Sequence, residues 1–242
     1  MVLETAGQLN RLLSGLLISA ILSLFVGHLH AAETDENDLP VAAISLSDLA
    51  AKSDLVAVVQ VRDTDYVYAR DFPNEGSAFL RILIAYKQNR QDEEIIEVFD
   101  TGLHPNECYF EGPTVLEEGR RYLIFFRIDP EYRDRYRGFP EGCALEVFVA
   151  EDNRYALKYP SNGILLSDPL DALAMQFEFR DNYALVSYES LSPTERKELL
   201  EKGLIIPYKD EFKYTRGVDL TTVRNLISSD ALKPKSSWEM EP

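Results

Sequence analysis

The sequence predicts a mainly β protein (α+β overall), with a five-stranded barrel over residues 45–152 and a mostly helical extension over residues 153–232. Segments rich in β-branched and aromatic residues recur between residues 54 and 150, with turn residues between them. Most of these segments follow one another without a helical crossover, which favours a barrel or sandwich over a parallel sheet. After residue 153, helix-capping patterns replace the alternation.

The barrel region begins with a short helix, for which Ser45 or Ser47 supplies the amino-terminal cap. Five strands follow, at residues 54–69, 79–86, 95–99, 122–128 and 144–150. Asp63 and Asp65 interrupt the alternation of the first strand and predict a β-bulge there. Residues 71–76 are rich in turn formers and predict the connection to the second strand.

Three helix starts are predicted in the extension. Asp168 is followed by a proline, which suits the first position of a helix. Ser192 and Glu195 have the spacing of a capping box, and Gly203 lies where a left-handed residue ends such a helix. Asp219 precedes a narrow apolar stripe and predicts the third helix.

Both ends of the chain are predicted to lie outside the folded part. Arg11 precedes an uncharged apolar run at 12–26 that is followed by small residues, which predicts a signal peptide over residues 1–32. A flexible leader at 33–44 and a mobile tail at 233–242 complete the predicted organisation. The expected location is therefore secreted or periplasmic, and retention of the apolar run as an amino-terminal anchor is the alternative.

The acidic composition argues against whole classes of partner. The chain has 41 acidic and 25 basic residues, a formal charge of −16 that removal of residues 1–32 leaves unchanged. Phosphate backbones and anionic lipids repel such a chain. Since the basic residues are scattered among more numerous acids, we expect no nucleic-acid partner and no membrane contact beyond the signal peptide or anchor.

Two cysteines, Cys108 and Cys143, are the only ones in the sequence. An even pair in an exported chain predicts a disulfide, because exported proteins mature in an oxidising environment. Closing a loop of about 36 residues would contribute roughly 4 kcal/mol by restricting the unfolded chain. Two buried free thiols are the alternative.

The predicted barrel region resembles netrin-like modules, which are related to tissue inhibitors of metalloproteinases. The resemblance covers about residues 45–152 and depends on the runs Ser53 to Val56 and Gly119 to Phe125 and on the positions of the two cysteines. It implies an OB fold, a small closed barrel. Protease inhibition in that family requires an amino-terminal cysteine that this chain lacks, so that activity is not expected. Similar patterns in uncharacterised exported bacterial proteins imply a bacterial envelope origin.

Catalytic chemistry has little support in the sequence. After removal of residues 1–32 the chain retains a single histidine, His104, in a predicted loop. No Gly-x-Ser-x-Gly motif is present to position a nucleophile. One histidine and two oxidised cysteines cannot supply the ligands of a zinc site, so we expect no catalytic residues, metal or cofactor.

Two predicted loops carry aromatic rings and guanidinium groups suited to ligand binding. The loop between the fourth and fifth predicted strands contains Tyr132, Arg133, Arg135, Tyr136, Arg137 and Phe139. The loop between the first two contains Tyr68, Arg70 and Phe72 and is expected on the same side of the barrel. Such groups stack on sugars or hold carboxylates. In the alternative, the rings pack against the extension and the arginines pair with Glu131, Asp134 and Glu141.

The sequence thus favours an exported, non-enzymatic binding module for an envelope or extracellular protein or glycan. A hydrolytic enzyme of the cell envelope is the first alternative. A structural accessory protein without a small ligand is the second, and its loops would be covered by the extension.

Overall fold

A computed structural model of the chain describes residues 43–69, 72–91, 94–100 and 116–235. The helices are α1 (Leu46–Lys52), α2 (Leu170–Leu173), α3 (Pro193–Glu201) and α4 (Leu220–Leu226), with a 3-10 helix at Asn182–Ala184. The strands are β1 (Leu55–Ala69), β2 (Phe72–Gln88), β3 (Ile95–Asp100), β4 (Arg121–Ile128), β5 (Tyr136–Arg137), β6 (Ala144–Val149), β7 (Tyr155–Lys158), β8 (Met175–Gln176), β9 (Leu185–Ser187), β10 (Ile205–Tyr208), β11 (Glu211–Tyr214) and β12 (Arg216–Asp219). The protein is mainly β, as the sequence predicts. The helices within these ranges are all too short or too polar to cross a membrane.

Five strands form a closed ring of hydrogen-bonded neighbours, in the order β1-β2-β3-β5-β4 and back to β1. The pairing is antiparallel except between β3 and β5, where Val98 and Tyr136 form a parallel pair. The predicted strand at residues 144–150 is β6, which pairs with β4 but lies outside the ring. The ring is closed instead by β5, a two-residue strand that is absent from the sequence prediction.

The first part of β1, residues 55–61, and most of β4 are buried on both faces, which explains why these segments are almost continuously apolar. One face of each contributes to the ring core, which consists of Leu55, Ala57, Val59, Val61, Ala78, Leu80, Ile96, Val98, Leu116, Tyr122, Ile124, Phe126, Tyr136 and Cys143. The other face contributes to the helix core, whose members include Leu46, Leu49, Val56, Val58, Leu123, Phe125, Leu145, Leu157, Val218, Leu220 and Val223. Side chains alternate between these two cores along both strands.

The pairing of β1 with β2 departs from the predicted turn. A register shift between Val61 and Asp63 confirms the predicted bulge. Residues 72–76, predicted as a turn, belong to β2 and pair with β1. Gly76 is needed here for two reasons. Its φ of 147° is a conformation that other residues rarely adopt, and a Cβ atom at this position would overlap the backbone oxygen of Asp65.

Helix α1 connects the ring to the extension. Its amino-terminal cap is Ser45, one of the two predicted caps. The backbone amide of Leu46 donates to Oδ2 of Asp168 at 2.7 Å. The carboxylate predicted to cap α2 therefore accepts a hydrogen bond from the first residue of α1 instead. At the other end of α1, the buried amine of Lys87 donates to the carbonyl of Ala50 at 2.9 Å.

The extension is mixed in the described residues, and a mostly helical extension is not shown. The predicted caps Ser192 and Asp219 begin α3 and α4, and Gly203 follows α3 with a φ of 63°. Six short strands accompany the helices: β7, β12 and β8 continue the large sheet from β6, and β10, β11 and β9 form a separate sheet. Strands of this length are too short for alternation to reveal them in the sequence.

The extension has its own core against the outer side of β6 and β7. It consists of Phe148, Ala150, Ala156, Phe177, Phe179, Ala184, Leu191, Leu199, Leu204, Ile205, Phe212 and Tyr214. Beside this core, the buried carboxylate of Glu146 pairs with Arg120 at 2.7 Å and with the buried amine of Lys158. This network joins the turn before β4 to strands β6 and β7.

The first residues of the predicted mobile tail are held in place. The amine of Lys235 pairs with the carboxylate of Asp54 and donates to the carbonyl of Lys52, both at 2.8 Å. Its backbone amide donates to the side chain of Asn89 at 2.9 Å. Residues 236–242 lie outside the described part of the chain.

Gly119 fits tightly against the extension at the turn before β4. Its φ is 83°, and a Cβ atom there would overlap the hydroxyl oxygen of Tyr183. That hydroxyl donates to the carbonyl of Glu118 at 3.0 Å. The contact therefore needs glycine both for its backbone conformation and for the space it leaves.

We expect Gly119→Ala to lower the free energy of unfolding by about 2 kcal/mol or more, because left-handed strain and the overlap with Tyr183 act together. Gly203→Ala is the matched control, since Gly203 also has a positive φ but no atom lies near its Cβ position. It should cost only about 1 kcal/mol, the strain alone. Urea unfolding measures both values, and equal losses would contradict the packing argument.

Candidate functional site

The predicted binding loop between β4 and β5 is built around a fully buried carboxylate, that of Asp129. Its Oδ1 accepts hydrogen bonds from the backbone amides of Glu131 at 2.8 Å and Tyr132 at 3.1 Å. Its Oδ2 accepts from the Nε atoms of Arg135 and Arg137, both at 2.8 Å. We call residues 129–137 the arginine loop. One carboxylate thus fixes both the backbone turn and two guanidinium groups.

The surroundings of Asp129 favour its charged form. Burial alone would raise the pKa of this carboxyl group. The hydrogen bonds from Arg137 and Arg135, together with those from the backbone amides, outweigh burial and lower the pKa from 3.8 to about 2. The loop is therefore held by a charged carboxylate across the ordinary pH range.

The arginines of this loop do not pair as the alternative interpretation of the sequence predicts. Arg135 and Arg137 bind Asp129, whereas Glu141 pairs with Lys52 at 2.6 Å. The sequence offers one indication of this role: an aspartate followed by a proline at the end of a strand is typical of a turn in which the carboxylate accepts backbone amides.

Two of the predicted ligand-binding rings serve as core. Tyr136 is 0% exposed and belongs to the ring core, and Phe139 is buried in the helix core. The guanidinium of Arg90 lies 4.3 Å from the centroid of the Tyr136 ring and donates to the carbonyls of Arg133 and Asp134. The segment after β2 therefore packs against the arginine loop.

Arg135 lies between two aromatic rings. Its guanidinium carbon is 3.9 Å from the centroid of Phe99 and 4.1 Å from that of Tyr132. Cation–π contacts of this kind hold both the cation and the ring. Tyr132 is nevertheless 54% exposed, so one part of its ring faces solvent from a fixed position.

The solvent-facing part of the arginine loop consists of Pro130, Glu131, Tyr132, Arg133 and Asp134. The side chain of Arg133 has no hydrogen bond or ion pair with any described residue, whereas those of Arg135 and Arg137 are committed to Asp129. Of the six side chains predicted for this loop, Tyr132 and Arg133 are the two that are exposed.

Residues of the second predicted loop lie at the end of β1 and the start of β2. Leu55 of β1 pairs with Phe126 near the end of β4, so the arginine loop lies beside the beginning of β1. Tyr68, which is 59% exposed, lies near the opposite end of the same strand. Phe72 begins β2 at that far end, and Arg70 lies outside the described residues.

The predicted disulfide and the candidate histidine fall partly or wholly outside the described residues. Cys143 is buried in the ring core just before β6. Its predicted partner, Cys108, and His104 are not among the described residues, so the disulfide stays a prediction. In the parts of the chain that are described, no group of three or more His, Cys, Asp or Glu side chains is arranged to hold a metal ion.

A polar cleft of about 500 Å³ lies between the ring and the extension, and sequence reasoning does not identify it. Its lining consists of Gln60, Gly119, Arg121, Val149, Arg180, Asp181, Asn182 and Tyr183. Asp181 is buried and accepts from Arg121 Nη1 at 3.1 Å and from the amide of Tyr183 at 3.1 Å. Residues that line the cleft are separated by up to 123 positions in sequence, so no local motif reveals them.

We expect Asp129 to contribute about 2 kcal/mol to stability near neutral pH. Since its folded pKa is lowered from 3.8 to about 2, this contribution is present above the unfolded value and is lost as the pH falls through the folded value. The unfolding free energy of the wild type, measured with urea, should therefore decline more steeply between about pH 5 and pH 2 than that of Asp129→Asn, which keeps only the smaller decline from other carboxyl groups with a lowered pKa, such as those of Asp54 and Glu141. Asp134→Asn, which removes an exposed carboxylate of the same loop, should decline like the wild type.

We expect Tyr136→Ala to destabilise the fold by about 3 kcal/mol or more, because it empties a fully buried position in the ring core. Tyr132→Ala, in the same loop but exposed, should change the free energy of unfolding by less than about 1 kcal/mol. Thermal or urea unfolding separates the two outcomes. A small loss for Tyr136→Ala would mean that its ring is not part of the core.

Comparison with known proteins gives no relative for this chain: no family model, no curated protein and no solved structure matches it. The functional conclusions therefore depend on the arginine loop and the cleft described above.

Proposed function

We propose that the protein is an exported, non-enzymatic binding module that holds an acidic envelope or extracellular partner, protein or glycan, through the exposed side of the arginine loop. The observation that carries this proposal is the exposure of Tyr132 and Arg133 on a loop whose backbone is fixed by a fully buried carboxylate. A fixed loop loses little conformational entropy when a partner binds, so its contacts convert more fully into affinity.

The one guanidinium that the loop leaves without an ion pair among the described residues, that of Arg133, favours a partner that carries carboxylates. Four guanidinium groups, those of Arg90, Arg133, Arg135 and Arg137, lie on or against the loop in a chain whose formal charge is −16. The carboxylates of Asp129, Glu131 and Asp134 offset three of these four charges, so the loop together with Arg90 has a net charge of +1. Arg133 has no ion-pair partner among the described residues, and a planar guanidinium is well suited to bind a carboxylate through two hydrogen bonds.

The proposed fold is an OB-like barrel. The ring order β1-β2-β3-β5-β4, with its single parallel junction between β3 and β5, supports this assignment, as does the bulge in the long first strand. The netrin-like resemblance adds to it over residues 45–152. Function is carried by the loop and not by the fold, because OB-like barrels serve many unrelated roles.

A structural accessory role is the second candidate, and a specific observation favours it. Tyr136 and Phe139 are buried, and Arg135 and Arg137 are committed to Asp129. If the loop serves only to hold the ring closed, its exposed residues should be dispensable for every interaction of the protein. A hydrolytic enzyme is the third candidate, and its candidate histidine, His104, lies outside the described residues.

The binding proposal predicts that Tyr132→Ala and Arg133→Ala each abolish capture of acidic components from intact envelopes while leaving thermal unfolding unchanged. The measurement is affinity capture followed by mass spectrometry, with poly-glutamate as a defined acidic probe. Lys209→Ala is the matched control, because it removes an exposed charge from the turn between β10 and β11, outside the arginine loop. Undiminished capture by both loop variants would favour the accessory role.

Export and the proposed disulfide predict a defined mass for the mature protein. Intact mass without reductant should correspond to a chain that begins near residue 33 and is two hydrogen atoms lighter than the reduced form. The Cys108→Ser and Cys143→Ser double variant should lose up to about 4 kcal/mol of unfolding free energy. Two free thiols in properly exported material would overturn this part of the proposal.

A further inference from the structure

The cleft between the ring and the extension has a positive lining inside an acidic protein. Its lining residues include two arginines, Arg121 and Arg180, and one carboxylate residue, Asp181. Asp181 pairs with Arg121 at 3.1 Å, so the charge of Arg121 is largely compensated. The side chain of Arg180 makes no hydrogen bond or ion pair with any described residue, so no described carboxylate compensates its charge.

Arg180 is held in place by its backbone. Its amide donates to the carbonyl of Val149 at 3.0 Å, just after the bridge that joins Ala150 to Phe179. The neighbouring carboxylate of Asp181 accepts from the amide of Val149 at 3.3 Å as well as from Arg121. The segment that carries Arg180 is therefore fixed to the end of β6, and the guanidinium is attached to a rigid base.

Neutral hydrogen-bonding groups complete the lining. Gln60 donates one N–H to the carbonyl of Gly119 at 3.0 Å, and its side-chain oxygen has no partner among the described residues. The side-chain amide of Asn182 is exposed and likewise has none in the described ranges. These amides can both donate to and accept from hydroxyl groups.

The Gly119–Tyr183 contact fixes the shape of one wall. A side chain at Gly119 would overlap the Tyr183 hydroxyl, and the guanidinium of Arg120 lies 5.0 Å from the centroid of the Tyr183 ring. At about 500 Å³, the cleft has the volume of ordinary small-molecule sites. Its lining is a preformed surface with one unmatched positive charge.

We propose that this cleft binds a hydroxylated monocarboxylate of the sugar-acid class, with the carboxylate on Arg180 and the hydroxyl groups on Gln60 and Asn182. A single negative charge matches the one uncompensated guanidinium, whereas a phosphate dianion would leave a negative charge unpaired beside Asp181. This site is separate from the arginine loop and does not depend on the function proposed for that loop.

The test is isothermal titration of the full mature chain with glucuronate, and with glucose as the matched ligand that lacks the carboxylate. Glucuronate should bind saturably, and glucose at least about tenfold more weakly, since a charged hydrogen bond is lost. Arg180→Ala should weaken glucuronate binding about tenfold or more for the same reason. Because Arg180 is exposed, thermal unfolding of this variant should match the wild type.

Two control variants make the outcome specific. Lys197→Ala removes an exposed positive charge from α3 and should leave glucuronate binding unchanged. Arg133→Ala, in the arginine loop, should also leave it unchanged, so failure of the loop proposal would not affect this result. Absence of saturable binding, equal binding of glucose, or unchanged affinity in Arg180→Ala would each overturn the assignment.

Discussion

The pairing of β1 with β4, buried on both faces, is the constraint on which the rest of the structure depends. It closes the ring, and it divides the apolar interior into a ring core on one face and a helix core on the other. The extension and α1 pack on the outer face of strands that are already needed inside the ring. Disturbing either strand would expose apolar area of both the ring core and the helix core to water. The ring and the extension should therefore unfold together rather than as independent units.

Buried carboxylates hold the loops and turns at the edges of the apolar cores. Asp129 ties the loop after β4, Glu146 ties the turn before β4 to β7, and Asp181 ties the segment before β9 to Arg121. Each carboxylate accepts from more than one donor, as a buried charge requires. Both candidate binding surfaces lie beside such a carboxylate. Asp129 and Asp181 hold the backbone of these segments, while the neighbouring Arg133 and Arg180 have no ion pair with any described residue.

Much of the fold can be predicted from the sequence, and the limits have physical causes. Alternating or continuously apolar segments indicate β1, the second part of β2, β3, β4 and β6, and capping residues such as Ser192 indicate the helices. The two-residue β5 and the strands of the extension carry too few residues for a periodic pattern. The aromatic and arginine content of the arginine loop is evident in sequence, but its division into buried Tyr136 and exposed Tyr132 depends on Asp129. The cleft is formed by distant segments and has no local pattern.

The concentration of arginine on one loop has a consequence for the kinetics of association. At a formal charge of −16, the chain as a whole repels the proposed acidic partner at long range, while Arg133 would attract a carboxylate of that partner at contact. Added salt screens the long-range repulsion first, because the Debye length is about 8 Å at physiological ionic strength. Moderate salt should therefore speed the encounter and, at the same time, shorten the lifetime of the complex, so the two rate constants respond in ways that partly cancel in the affinity.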